Sequence, residues 1–162
     1  MKKELLTRPE IKLVGLTART NNKNEMNPQT AKIAELAGRY WGEGVAAQIQ
    51  QRKHPGVTLA VYTDYASDEH GDYTYFIGEE VFTIDTIPAN LETLIIPAAR
   101  YAKFTTPLGK MPDVVISAWQ DIWKMTPLER SGDRAYVADF ELYDQRAVDP
   151  VSTSLDIYIG IK

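Results

Sequence analysis

The residues with the clearest chemical potential are Glu141 and the tyrosines around it. In the segment Tyr136 to Tyr143, strand alternation puts Ala138, Phe140 and Leu142 on one face and Asp139, Glu141 and Tyr143 on the other. The final segment, STSLDIYIGIK, alternates in the same way, with Leu155, Ile157, Ile159 and Ile161 on a helix-facing side and Asp156 and Tyr158 opposite. The apolar face Ala138, Phe140 and Leu142 is expected to pack on helices, leaving the acidic and aromatic face to line a concave surface. A carboxylate there can offset the charge of an organic cation that has lost its water, and tyrosine faces add cation–π attraction of roughly 0.5 to 2 kcal/mol. Pattern alone leaves two other readings of Glu141 open: a solvated side chain on an exposed face, or an ion-pair partner of Arg134 or Arg146.

Other chemistries find little support. The chain has no cysteine, which removes disulfides, thiolate metal sites and cysteine nucleophiles and suits a reducing cytoplasm. His54 and His70 fall in expected turns without a partner at metal-ligand spacing, so neither a metal site nor a cofactor is expected. No P-loop, dinucleotide-binding glycine motif or G-x-S-x-G elbow occurs, and the acidic run DYASDEHGD departs from a calcium-loop spacing. The net charge is −4 with no clustered Lys and Arg, which argues against direct nucleic-acid binding. Apolar residues at the start are interrupted by Arg8, Pro9 and Glu10, so neither a signal peptide nor a membrane span is expected.

These side chains must be positioned by elements that periodicity reveals. Ile11 to Arg19 reads as a strand, followed by a helix capped by Asn27 with Pro28 in its first turn and Ile33, Leu36, Ala37, Tyr40 and Trp41 at helical spacing. VTLAVYTDYA and YTYFIGEEVFT read as strands around the turn SDEHGD. The order then repeats: LETLIIPAARYAKFTT as one long or broken strand, a helix from about Asp113, then AYVADFELYD and the final strand. Val115, Ala118, Trp119 and Ile122 form the second helix's apolar stripe, so Trp119 reads as a core residue.

Superposing the chain on itself supports duplication. A shift of 82 residues matches Ile33 with Val115, Trp41 with Trp123, Ile77 with Ile159 and Gly78 with Gly160. A shift of 78 matches Tyr62 with Phe140 and puts Thr63 opposite Glu141. The expected fold is therefore α+β, with two pseudo-symmetric β-α-β-β halves, about 9–85 and about 91–162, in one domain spanning 1–162.

Three segments carry a family resemblance. IPAARYAKFTTPLG resembles the Pro-x-x-x-Tyr-Ala-x-Phe-x-x-x-Gly segment of gyrase-inhibitor-like (GyrI-like) effector-binding domains, with its glycine displaced, and DFELYD and LDIYIGIK follow in the family's order. Such domains also end many AraC-type and multidrug-responsive transcription regulators. The resemblance implies antiparallel sheets, a ligand cleft between the halves, and a buried glutamate that pairs with lipophilic cations; Glu141 holds the matching position. Tyr143 and Tyr158 from the second half, Tyr65 and Phe76 from the first, and Trp41 and Trp123 at the helix-stripe edges are the expected ligand-binding companions. No DNA-binding segment is recognisable, so a stand-alone binding module for small cationic aromatic molecules is expected, as monomer or homodimer. Two alternatives remain: a hydrolase of electrophilic small molecules with Glu141 as general base, and a regulator acting through a protein partner or a separately encoded DNA-binding protein.

Overall fold

The computed structural model describes residues 1–162. Its strands are β1 (Lys2–Arg8), β2 (Ile11–Thr20), β3 (Thr58–Thr63), β4 (Tyr73–Glu80), β5 (Glu92–Ile96), β6 (Ala99–Thr105), β7 (Arg134–Tyr143) and β8 (Asp156–Ile161). The helices are α1 (Asn22–Glu25), α2 (Ile33–Gly42), α3 (Val45–Gln48), α4 (Asp113–Lys124) and α5 (Pro127–Arg130). One antiparallel sheet runs β1-β6-β8-β7-β3-β4-β2-β5. This order is symmetric about the central pair β7–β3, so the two β-α-β-β halves join edge to edge there. LETLIIPAARYAKFTT divides at Pro97-Ala98 into β5 and β6.

The N-terminal strand β1 was not legible from sequence because KKELLTR is almost wholly exposed and offers no buried stripe. It pairs with β6 of the other half, while β5 returns to pair with β2. Each half thus lends an edge strand to the other, which ties the halves together by backbone hydrogen bonds as well as by side-chain packing. The YFIG and IYIG repeats sit where chains approach closely. A Cβ on Gly78 would lie 2.1 Å from the Val14 carbonyl oxygen, and one on Gly160 would lie 2.7 Å from that of Ala138.

The first helix begins later than expected. Asn27 makes a local turn instead of capping it: the Asn27 side chain accepts the Gln29 N–H and the Asn27 carbonyl accepts those of Thr30 and Ala31. Helix α2 starts at Ile33, where the carboxylate of Glu25 accepts the Lys32 and Ile33 N–H groups at 2.9 and 3.0 Å. The polar run before it contains α1, capped by the Asn21 side chain.

Packing on the two sheet faces reverses one expectation. Ala138 and Phe140 do not face the helices; they join Val61, Phe76, Tyr101 and Tyr158 in a core to which β1, β2 and β5 also contribute Leu6, Ile11 and Ile96. Edge and central strands can share that core only because the sheet curls on itself. The curled sheet therefore buries this face without helices. The other face carries α2 over Val14, Ala60 and Ile77, and α4 over Phe104, Ile157 and Ile159. Tyr62 and Tyr143 on the central strands pack against both of these clusters. The space between the two helices lies directly above them.

Candidate functional site

A cavity of about 880 Å³ opens between α2 and α4, within the range of small-molecule sites. Its floor is the central strands. Strand registers place Glu141 opposite Ala60 on one side and Ile157 on the other, and Ala60 opposite Ile77, so all four share the helix-facing side. The walls are the inward faces of the helices, where Ala37 and Trp41 of α2 confront Trp119 and Trp123 of α4.

Glu141 is 4% exposed. Its Oε2 accepts hydrogen bonds from the Tyr62 hydroxyl at 2.8 Å and the Trp119 indole N–H at 2.7 Å, and its Oε1 accepts from the Tyr143 hydroxyl at 2.5 Å. These donors are all neutral. Arg134 pairs instead with Asp139 at 2.7 Å, and Arg146 pairs with Asp144 and Asp156, each at 2.9 Å. Both the ion-pair and the solvated readings of Glu141 are thereby removed. Burial raises the Glu141 pKa above its ordinary value, and the bonds from Tyr143, Trp119 and Tyr62 pull it back only in part. The hydroxyls of Tyr62 and Tyr143 are pushed well up, first by burial and then by the carboxylate beside them, so both remain donors.

Aromatic rings surround this carboxylate. Tyr62 meets Tyr73, Tyr75 and Trp119 edge to face at centroid distances of 5.6, 5.4 and 5.3 Å. Trp119 continues to Trp123 at 6.1 Å. Trp41 and Trp123, 56% and 52% exposed, border the cavity from corresponding positions on the two helices. The result is a single buried negative charge within an apolar, π-rich enclosure.

Of the residues singled out from sequence, Glu141, Tyr143, Tyr65, Trp41 and Trp123 line this cavity. Tyr158 and Phe76 do not. Tyr158 is paired with Phe140, stacks on that ring at 4.5 Å and lies under the Arg8 guanidinium, all on the opposite sheet face. Phe76 belongs to the same core and borders a separate cavity of about 560 Å³ there. The error arose from assigning the apolar face of β7 to the helices: Phe140 and Tyr158 lie together on one side, and Glu141 and Ile157 on the other.

Sequence reasoning missed Tyr62, Tyr73, Tyr75 and Trp119 as site residues. The indole of Trp119 held a signal, since a buried Trp N–H requires an acceptor and no apolar stripe supplies one. The counterpart of Glu141 also changes. Thr63 pairs with Ala138 and lies on the far face, whereas the registers of β3 with β7 and β4, and of β7 with β8, map Tyr62 onto Glu141 when Ile77 is mapped onto Ile159.

Comparison with known proteins agrees with this architecture. Residues 4–161 match the family described as integron-associated effector binding protein, Cass2. A Bacillus subtilis (strain 168) protein named as a transcriptional regulator, YobU, is 30% identical over 151 residues, covering 93% of this chain and 92% of that protein. The crystal structure of an integron cassette protein of Vibrio cholerae superposes with a TM-score of 0.78 at 24% identity, over 99% of this chain and 95% of its own. SAV2435, solved bound to tetraphenylphosphonium, superposes with a TM-score of 0.77 at 20% identity, over 100% of this chain and 94% of its own. At such identities the two structures establish a shared fold.

Proposed function

The chain belongs to the family of integron-associated effector-binding proteins, with the gyrase-inhibitor-like fold that its motifs suggested, and from that premise we propose that its cavity binds lipophilic aromatic cations with Glu141 as the opposing charge. The observation that carries the reading is a fully buried carboxylate held by three neutral donors and no cation. A ligand's positive charge would offset the desolvation cost that those donors offset only in part. The rings of Tyr62, Tyr75 and Trp119 would stack on flat groups without demanding a particular hydrogen-bond pattern, which suits a broad range of ligands. The tetraphenylphosphonium held by SAV2435 has this chemistry, on the same fold.

The output of binding in this reading is sensing or sequestration linked to transcription, by analogy with the transcriptional role in YobU's name. A general-base role for Glu141 is disfavoured, because both carboxylate oxygens are already engaged by fixed donors of β3, β7 and α4. The test is a tryptophan-fluorescence titration with tetraphenylphosphonium and with a neutral tetraaryl compound of the same shape. Glu141→Gln is expected to weaken the cation by about 100-fold, equivalent to about 2.7 kcal/mol, and the neutral compound by less than about threefold. Equal losses for both would take Glu141 out of charge recognition.

A further inference from the structure

The two ends of the cavity differ in chemistry. Strands β3 and β7 are antiparallel, with Thr58 opposite Tyr143 and Thr63 opposite Ala138, so the segments that follow them leave the central pair at opposite ends. The turn after β3 closes one end together with α1. That end is polar: Asn22, Glu25 and Glu69 line it, and the Asn22 side chain donates to the Glu69 carbonyl and accepts from the Tyr73 hydroxyl, each at 2.9 Å. The connection after β7 closes the other end together with the start of α4, and the Met111 N–H on the Pro150 carbonyl at 2.8 Å holds the two side by side. There the lining is aliphatic, from Met111, Pro112, Val115, Ile116, Val148 and Pro150. The charged side chain at this end, Asp144, has its carboxylate oxygens bonded to Arg146 at 2.9 and 3.0 Å. Ile116 and Val148 line the cavity and are also 49% and 79% exposed, so the aliphatic wall runs from the interior out to the open surface.

We infer that this aliphatic end receives an alkyl chain of the ligand, so that the preferred ligands are aromatic cations carrying a flexible tail. This rests on the reading of Glu141 as the cation's partner, which fixes the head of the ligand beneath Trp119. The six side chains offer neither a π face nor a hydrogen-bonding group, and Met111 can adjust its shape to a chain that bends. Burial of a tail against them also removes Ile116 and Val148 from water, where exposed apolar surface is unfavourable. Length follows from the helix. Trp119, which bonds Glu141, lies seven residues beyond Pro112 at the head of α4. That interval is about 10 Å along the helix axis, the reach of a chain of roughly eight carbons. The first half offers no equivalent, since Ala34 stands at the position matching Ile116 and its end of the cavity is the polar one.

Two probes test this: n-butyltriphenylphosphonium and n-octyltriphenylphosphonium, which share a head and differ by four methylenes. Full burial is worth about fourfold in affinity per methylene, and a wall open on one side about half of that free energy, or twofold. The wild-type protein is therefore expected to bind the octyl compound about 16-fold more tightly by calorimetric titration. In the double variant Ile116→Asn with Val148→Asn, both at exposed positions, the octyl-to-butyl ratio should fall below about fourfold. In Ala34→Asn, at the matching place on α2, the ratio should stay near 16-fold. Because each ratio is taken within one protein, a general loss of folded material does not imitate the effect. Equal affinity of the two probes for the wild type overturns the inference, and so does a ratio that survives in the double variant or falls as far in Ala34→Asn. Equal binding of both probes leaves the cation reading standing, whereas binding of neither removes that reading together with this one.

Discussion

The two halves share a topology and a pair of mouth tryptophans, yet at the centre of the cavity they are unlike. Where the second half has Glu141, the first has Tyr62, and the hydroxyl of one is bonded to the carboxylate of the other at 2.8 Å. Where α4 carries Trp119, the matching position of α2 carries Ala37, and both line the cavity. The repeated topology supplies two helices over a shared sheet and the space between them; the difference between the halves supplies the charge. Two glutamates at the axis would face each other across the central strands and share protons, as close carboxylates do. One glutamate and one tyrosine instead make a fixed anion with its donor provided from across the axis.

Moving the charge across the axis should break this comparison most severely. In Tyr62→Glu combined with Glu141→Gln the carboxylate sits on the first half, facing Ala37 without an indole donor. Affinity for tetraphenylphosphonium is expected to remain at least about 30-fold below wild type by fluorescence titration, equivalent to about 2 kcal/mol. Recovery to wild-type affinity would show that the halves are interchangeable as charge donors.

Acidity gives the next largest effect. Because burial raises the Glu141 pKa, its proton returns at a higher pH than for an ordinary carboxylate. Affinity for tetraphenylphosphonium should be flat above that pKa and fall toward tenfold per pH unit below it, while Glu141→Gln shows no such slope. Stability of the free protein should move the opposite way. A raised pKa means that the folded state holds this proton more tightly than the unfolded one, so the cost of the buried charge is present above the folded pKa and relieved as pH falls through it. The thermal midpoint of Glu141→Gln should therefore exceed the wild type most at neutral pH, with the gap narrowing toward acid.

The smallest effect separates the donors. Trp119→Phe removes the indole N–H, and is expected to lower affinity for tetraphenylphosphonium about threefold and to move the acid limb of the pH profile upward, since one bond that lowers the Glu141 pKa is gone. Ala37→Ser at the matching place on α2 should leave both unchanged. A pH profile unmoved by Trp119→Phe would mean that the indole packs against the carboxylate without steering its charge.

Much of the fold was legible because it rests on local signals. Alternation in YTYFIGEE and LDIYIGIK, the stripe Val115, Ala118, Trp119 and Ile122, and the self-match of Trp41 with Trp123 each depend on residues close in sequence or on a repeat. Strand β1 was not, since its partner β6 lies almost a hundred residues away and its own side chains are exposed. In the site, Glu141 and Tyr143 were legible as neighbours on one strand face. Tyr62 was not, because its bond to Glu141 spans 79 residues and depends on how β3 and β7 register.

The sequence by itself determined that Asp139, Glu141 and Tyr143 share a face, that Phe140 lies on the other, and that the helices come as a matched pair. Which of those faces meets the helices was decided only in three dimensions. Alternation divides a strand into two sides but cannot say what covers each, and here the curled sheet buries Phe140 and Tyr158 on its own. That closure leaves Glu141 beneath Trp119, in the space between two helices, with no cation in reach.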